Sequence, residues 1–139
     1  MRVLALDYGT ARCGCAVSDP TGTLVTPLAA IEPPEAGMIA EVVAEHGVDR
    51  VVVGLPITPS GEEGAQARLS RAFAAELQSV LKVPVETHDE RLTTKMADRT
   101  AREGARADRD SLAAAHLLES YLEAQAAPGR EAEEAAGKI

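Results

Sequence analysis

Arg50-Val51-Val52-Val53-Gly54-Leu55-Pro56 carries no polar side chain between Val51 and Leu55. A strand with one wet face alternates apolar and polar residues; an uninterrupted apolar run of this length reads as a strand covered on both faces. Such strands belong to parallel sheets whose crossover connections are helices. The flanking segments fit. Before it, Met38, Ile39, Val42 and Val43 recur at helical spacing after Pro33-Pro34 and close at His46-Gly47, a glycine stop. His46 reads as a helix C-terminal residue. After it, beyond the loop Thr58-Pro59-Ser60-Gly61, a helix is expected from about Glu62 to Leu81, with Ala65, Leu69, Phe73, Leu77 and Val80 as its inner stripe. Val83 to His88 is a further strand, ending in Asp89-Glu90-Arg91.

The chain opens with Val3-Leu4-Ala5-Leu6-Asp7-Tyr8-Gly9-Thr10, a short apolar run that stops in a carboxylate and a glycine. It reads as a buried strand whose last residue, Asp7, meets water. Gly9 lets the backbone turn and another group approach closely, with Thr10 beside it in the turn. Arg12 to Ser18, the turn cluster Asp19-Pro20-Thr21-Gly22-Thr23, and Leu24 to Ile31 complete a three-strand antiparallel meander. Two more helices are expected, from about Thr93 to Gly104, with Thr93 or Thr94 as N-cap, and from about Asp110 to Ala124. Leu112, Ala115, His116, Leu118 and Leu122 are among the apolar-side positions of the latter, and His116 reads as a core or half-buried histidine. The sum is an α/β domain: a mixed five-stranded sheet, the meander plus two parallel strands, flanked by helices. Residues 125–139, rich in Ala and Glu with Pro128-Gly129, read as a frayed or disordered tail.

With 139 residues, 45% hydrophobic and 26% charged, the chain has the length and composition of one globular domain. No run of eighteen apolar residues exists, so no membrane span is expected, and the immediate first strand leaves no room for a signal peptide. A cytoplasmic protein is the expectation. Cys13 and Cys15, two apart on one strand face, read as small buried apolar residues. The net charge of −8 opposes nonspecific binding to polyanions, so any nucleic-acid role needs a local basic patch. Aromatic residues are 2% of the chain, too few for a base-stacking platform.

Three places put carboxylates at the ends of elements: Asp7, the Asp89-Glu90 pair, and Asp110. In parallel α/β sheets, sites gather at the carboxyl ends of strands. Asp110 also suits a helix N-cap. Three carboxylates from three elements can hold hard divalent cations, and a pair of such ions about 4 Å apart clamps the attacking and leaving oxygens of a phosphodiester. No His/Cys cluster competes, so zinc is not expected. A basic stripe lies beside them: Arg91, Lys95, Arg99, Arg102, Arg106 and Arg109, six of the fourteen Lys and Arg residues. On one continuous helix they would span an arc of about 80°. Gly104 can end that helix, leaving Lys95, Arg99 and Arg102 as the secure part. The stripe reads as phosphate contact, against the plainer reading of a solvated face paired with Asp98 and Glu103.

Together these stretches resemble the YqgF family of small bacterial RNase H-like nucleases, also described as Holliday-junction-resolvase-like. The resemblance covers about residues 1–124. It rests on Leu6-Asp7-Tyr8-Gly9-Thr10 with Ala16-Val17-Ser18-Asp19, on Val53-Gly54-Leu55-Pro56 with Gly61, on Asp89-Glu90-Arg91-Leu92-Thr93-Thr94, and on Asp110-Ser111-Leu112-Ala113-Ala114 with Leu118-Glu119-Ser120-Tyr121-Leu122. It implies an RNase H-like fold and a Mg²⁺- or Mn²⁺-dependent phosphodiesterase site. It assigns the catalytic, metal-holding carboxylates to Asp7, Glu90 and Asp110, choosing Glu90 over Asp89. It implies a nucleic-acid substrate: the 5′ end of the small-subunit (16S) rRNA precursor, or, as in fold relatives, the four-way DNA junction. Junction resolution would need a homodimer, because two nicks are placed symmetrically. The chain departs from the family pattern in Ile57-Thr58-Pro59-Ser60, where Asn and Asp are usual, in the short Arg106-Ala107-Asp108-Arg109 before Asp110, and in Cys13 and Cys15, which replace aliphatic residues. Asp108 and Glu119 are poor candidates for a fourth carboxylate. Two other classes compete: a nucleotide-binding fragment of the actin-like ATPase type, which would need a second domain, and a non-catalytic nucleic-acid or ribosome adaptor.

Overall fold

The computed structural model describes residues 1–90 and 109–126. β1 (Val3–Tyr8), β2 (Cys13–Ser18) and β3 (Val25–Ile31) form the antiparallel meander. β4 (Arg50–Leu55) and β5 (Val85–Asp89) run parallel to β1 on its other side, giving the sheet order β3-β2-β1-β4-β5. α1 (Ala36–His46) joins β3 to β4, α2 (Ala65–Val80) joins β4 to β5, and α3 (Arg109–Ala126) closes the described chain. The helix expected over residues 93–104 lies outside the described residues. Gln125 and Ala126, expected in the tail, belong to α3; both are good helix formers and nothing in their chemistry stops the helix. The rest of the expected tail lies outside the described residues.

The continuous apolar run behaves as its composition demands. Val51 and Val53 enter one core with Leu4, Leu6, Ile39, Phe73 and Leu77, between the sheet and α1 and α2. Val52 enters a second core with Val3, Ala5 and Ala16, against Ala114, Ala115, Leu117 and Leu118 of α3. Val51, Val52 and Val53 are all fully buried. The small residues where α3 meets β1 and β2 let the helix lie close to the sheet. Cys13 and Cys15 are buried in the first core, as read. His46 ends α1, and Gly47 follows at φ 62°, donating its N–H to the Ala44 carbonyl. That left-handed conformation is why a glycine stands there.

Two further expectations need correction, both in α2. The helix begins at Ala65, not Glu62. Residues 57–63 spend their polar groups on a loop of their own: Ile57 bridges Glu63, Gly61 donates to the Thr58 carbonyl at 2.8 Å, and Glu62 N–H donates to Thr58 Oγ1 at 3.1 Å. Those contacts hold the chain out of helical register until Gly64. The buried face is also rotated. Ala67, Ser70, Phe73, Ala74 and Leu77 face the sheet, whereas Ala65, Leu69 and Val80 are exposed. Phe73 and Leu77 belong to both stripes; the small Ala67, Ser70 and Ala74 let the helix settle closer than the bulkier expected face would. In α3, His116 is buried as expected, and Tyr121, absent from the expected stripe, is buried too.

A side chain seats the start of α3. Ser111 is fully buried, accepts from Cys15 N–H at 3.3 Å and donates to the Leu28 carbonyl at 2.5 Å. It bridges β2 and β3 where their register shifts between Cys13 and Cys15. Ser111→Ala strands a buried donor and a buried acceptor and should destabilise the fold by about 2 kcal/mol. The check is a lower urea midpoint at unchanged m-value; an unaltered midpoint would show that the bridge contributes nothing.

Candidate active site

The site follows from strand alternation. The α3-facing set of β1, Val3 and Ala5, continues to Asp7. That of β4, Val52, continues to Gly54. In β5, Tyr121 donates to Glu86, and His88 Nε2 lies 3.1 Å from Ser120 Oγ, so this set faces α3 and continues to Glu90. β1, β4 and β5 are parallel, with Leu6 opposite Val53 and Gly54 opposite His88. Their carboxyl ends therefore bring Asp7, Gly54 and Glu90 to one edge of one face.

Gly54 makes the contact between the two carboxyl groups possible. A Cβ at this position would overlap the Glu90 carboxylate and stand 3.0 Å from its Cγ and Cδ. The Glu90 side chain thus lies over bare backbone and hydrogen-bonds with Asp7. Glycine inside an otherwise buried strand is a signal of close approach. Gly9 is needed for a similar reason: a Cβ there would stand 2.9 Å from the Arg12 carbonyl, which accepts the Gly9 N–H at 3.0 Å. Close approach, not a left-handed φ, is what the position requires.

These residues open on a cleft of about 460 Å³ lined by Asp7, Thr10, Arg12, Pro56, Gln66 and Glu90, among others. Gln66, in the first turn of α2, donates from Nε2 to the Tyr8 carbonyl at 2.9 Å. Tyr8 stacks on Phe73 with centroids 4.2 Å apart and planes at 24°. Both contacts pin α2 to the residue next to Asp7. Sequence reasoning missed Gln66 and Arg12, since a single polar residue in a helix's first turn or after a hairpin carries no signal until the fold places it.

Burial pushes the Glu90 carboxyl from its ordinary 4.5 up to about 7, helped by the Asp7 charge, the hydrogen bond with Asp7 and the charge of Asp89. Two carboxyl groups in contact, one retaining its proton near neutrality, form an acceptor set short of positive charge.

Asp110 stands in the first turn of α3. The next residue, Ser111, bonds Cys15, and Gly14 before Cys15 is the register partner of Asp7. The helix therefore starts at the Asp7 end of the sheet; the side chains of Arg109 and Asp110 are outside the description. Arg91, Lys95, Arg99, Arg102, Arg106 and Asp108 lie outside the described residues. Among the described residues no group of three or more metal-ligating side chains assembles; the cleft brings together Asp7 and Glu90. Glu119 lines a separate, larger hollow of about 630 Å³ with Thr23, Leu24 and Leu122, and is not among the residues lining the Asp7 cleft.

Two outcomes follow from this geometry. A carboxyl whose pKa is raised by folding contributes stability below about pH 4.5, and that contribution is lost as pH rises through about 7. In chelator, the thermal midpoint should fall between about pH 5 and 7.5, and Glu90→Gln should flatten that fall; an identical profile in the variant would refute the assignment. Gly54→Ala should displace Glu90 and abolish the same pH dependence while the far-ultraviolet circular dichroism stays native. A retained wild-type profile would show that Glu90 does not need the gap.

A family model described as "RuvX: Holliday junction resolvase" matches residues 1–124. A Chloroflexus aurantiacus protein named "Putative pre-16S rRNA nuclease" is 43% identical over 88% of this chain and 87% of its own length. A Pelotomaculum thermopropionicum protein of the same name is 42% identical over 95% and 93%. Among solved structures, Thermus thermophilus RuvC in complex with a Holliday junction substrate superimposes with TM-score 0.64 at 14% identity, over 90% of this chain and 95% of that one. The fowlpox virus Holliday junction resolvase gives 0.54 at 13% identity, over 89% and 99%. At these identities the likeness concerns the fold, which is the RNase H-like arrangement that the resemblance implied.

Proposed function

Because the chain belongs to the RuvX family, which covers residues 1–124, we propose that it is a metal-dependent endonuclease acting on the precursor of 16S rRNA. The observation that carries this reading is the Asp7–Glu90 contact at the carboxyl ends of parallel strands, inside an open cleft. Relatives above 40% identity over most of their length carry the corresponding name. The proposed nuclease domain is the matched stretch, residues 1–124, with α3 running on to Ala126.

The donor set fits hard divalent cations. Carboxylate oxygens are their preferred ligands, and positive charge between Asp7 and Glu90 would let both ionise. Mg²⁺ or Mn²⁺, held by Asp7, Glu90 and Asp110, would polarise the phosphodiester and lower the pKa of the attacking water. Asp7 stands at the end of a strand whose preceding residues, Val3 to Leu6, are fully buried, so its oxygens are presented from a fixed point. Glu90 is confined by the Gly54 gap and Asp7, and Asp110 belongs to the first turn of α3, which starts at the Asp7 end of the sheet. Arg91, Lys95, Arg99, Arg102, Arg106 and Arg109 hold the flanking phosphates. In the sequence these cations fall between Glu90 and Asp110, a local run of positive charge in a chain of net charge −8. No described helix is long and apolar enough to cross a membrane; the cytoplasm, where the rRNA precursor is made, is the proposed location.

The second reading is resolution of four-way DNA junctions, favoured by the family description and by the shared fold. It requires a homodimer with two sites facing one junction. Cleavage of a labelled 16S precursor leader, a four-way junction and plain duplex DNA with Mn²⁺ or Mg²⁺, beside Asp7→Asn, distinguishes the two. Leader cleavage that falls to background in the variant, with binding largely spared, is the expected result. Symmetric junction nicks lost in the variant would establish the second reading, and cleavage by Asp7→Asn at the wild-type rate would remove Asp7 from the site.

A further inference from the structure

Arg12 is a cleft residue that the proposed mechanism leaves without a role. Its neighbours in the lining are the carboxyl groups of Asp7 and Glu90 and the uncharged Thr10, Pro56 and Gln66, so among the described residues it is the cation of the cleft. Its backbone is held firmly. Gly9 N–H donates to its carbonyl at 3.0 Å, and the approach is too close for a Cβ on Gly9. The next residue, Cys13, is fully buried and pairs with Tyr8, itself stacked on Phe73. Carrying the alternation of β2 back from Ala16 through Gly14 puts Arg12 on the α3 face, where Asp7 and Glu90 stand. A guanidinium thus rises from a rigid hairpin end beside the carboxyl pair.

That position answers an electrostatic difficulty. A polyanion must approach two carboxylates in a chain of net charge −8. Cations held by the carboxylates would offset the carboxylates' own charge first, and the phosphodiester brings another negative charge. A guanidinium meets two oxygens of one phosphate with parallel N–H donors, a geometry that an ammonium does not reproduce.

We propose that Arg12 is a substrate-binding residue whose guanidinium holds the non-bridging oxygens of the phosphodiester presented to Asp7 and Glu90. The inference rests on the nuclease reading and deepens it: this contact lies inside the cleft, whereas the 91–109 stripe serves flanking phosphates. Arg12 is neither a metal ligand nor merely a turn residue.

The test uses the full chain with Arg12→Ala, Arg12→Lys and Asp7→Asn. Binding of labelled precursor leader RNA and of a labelled four-way junction is measured in EDTA over a range of salt, cleavage in Mn²⁺, Mn²⁺ affinity by calorimetry, and thermal midpoints for all variants. Arg12→Ala should raise Kd and KM about tenfold or more. It should lower the slope of log Kd against log salt by about one, with Mn²⁺ affinity unchanged. Arg12→Lys should recover the salt slope but not the full cleavage rate, because charge returns without the fork. Unchanged Kd and slope in Arg12→Ala would overturn the proposal. So would equal losses of thermal midpoint in both Arg12 variants with the slope intact, which marks a structural residue. Wild-type cleavage by Asp7→Asn would strike the nuclease-site reading instead. Should the wild-type protein cut none of the substrates, Kd and salt slope still decide the role of Arg12.

Discussion

Two carboxyl groups in contact are costly to a folded chain, and this one builds that contact into the edge of its best-buried strands. The cost takes the form of a retained proton: Glu90, desolvated and facing Asp7, titrates near neutrality instead of near 4.5. A protein selected for stability alone gains nothing from the arrangement, which is why it points to function. Everything around it serves to hold it. β1, β4 and β5 run parallel, so their ends come together; alternation puts Asp7 and Glu90 on one face; and Gly54 removes the one Cβ that would part them.

The frame beneath the site is a two-sided core. On one side α1 and α2 cover Leu4, Leu6, Val51 and Val53; on the other α3 covers Val3, Ala5, Ala16 and Val52. Residues buried on both faces leave β1 and β4 little freedom, and that rigidity passes to the residues at their ends. Two polar contacts and one ring stack then locate the helices around the cleft. Gln66 and the Tyr8–Phe73 stack seat α2, and Ser111 seats the first turn of α3 between β2 and β3. A third cluster, in which Arg50 Nη1 donates to Tyr121 Oη at 2.9 Å and Tyr121 donates to Glu86, ties α3 to β4 and β5 on the same face. Burial raises the Tyr121 hydroxyl's pKa, with the Glu86 contact adding to it, so at neutral pH it stays a donor.

Charge organises the molecule at a larger scale. A chain of net charge −8 has no general attraction for nucleic acid, so recognition must be local and geometric. In the proposed reading the cations that the sequence gathers between residues 91 and 109 meet the flanking backbone, and Arg12, the one cation among the described residues of the cleft, meets the reacting phosphate. A net negative charge opposes polyanions that make no such local contact, a form of specificity by unfavourable charge. The family relationship and the RNase H-like fold place this design among nucleases, and the fold alone does not separate RNA from branched DNA.

Local chemistry was enough to read most of the architecture. The unbroken apolar run at Val51–Leu55, the helical spacing around Ile39, the Gly47 stop and the strand ending at Asp7 act over a few residues, so periodicity and turn chemistry carry them. The carboxylates at Asp7, Glu90 and Asp110 were visible as residue types at element ends, although Glu90 was separated from Asp89 only by resemblance; spacing along one strand cannot say which of two neighbours faces a residue on another. Tertiary structure decided the rest. The start and buried face of α2 depend on a loop that consumes its own polar groups and on which small residues fit the sheet. The need for Gly54 depends on the side chain of Glu90, just past the end of β5 and 36 positions later in the chain. Arg12 and Gln66 became site residues only when β1, β2 and α2 met around one cleft. These are contacts between segments distant in sequence, and no local pattern encodes them.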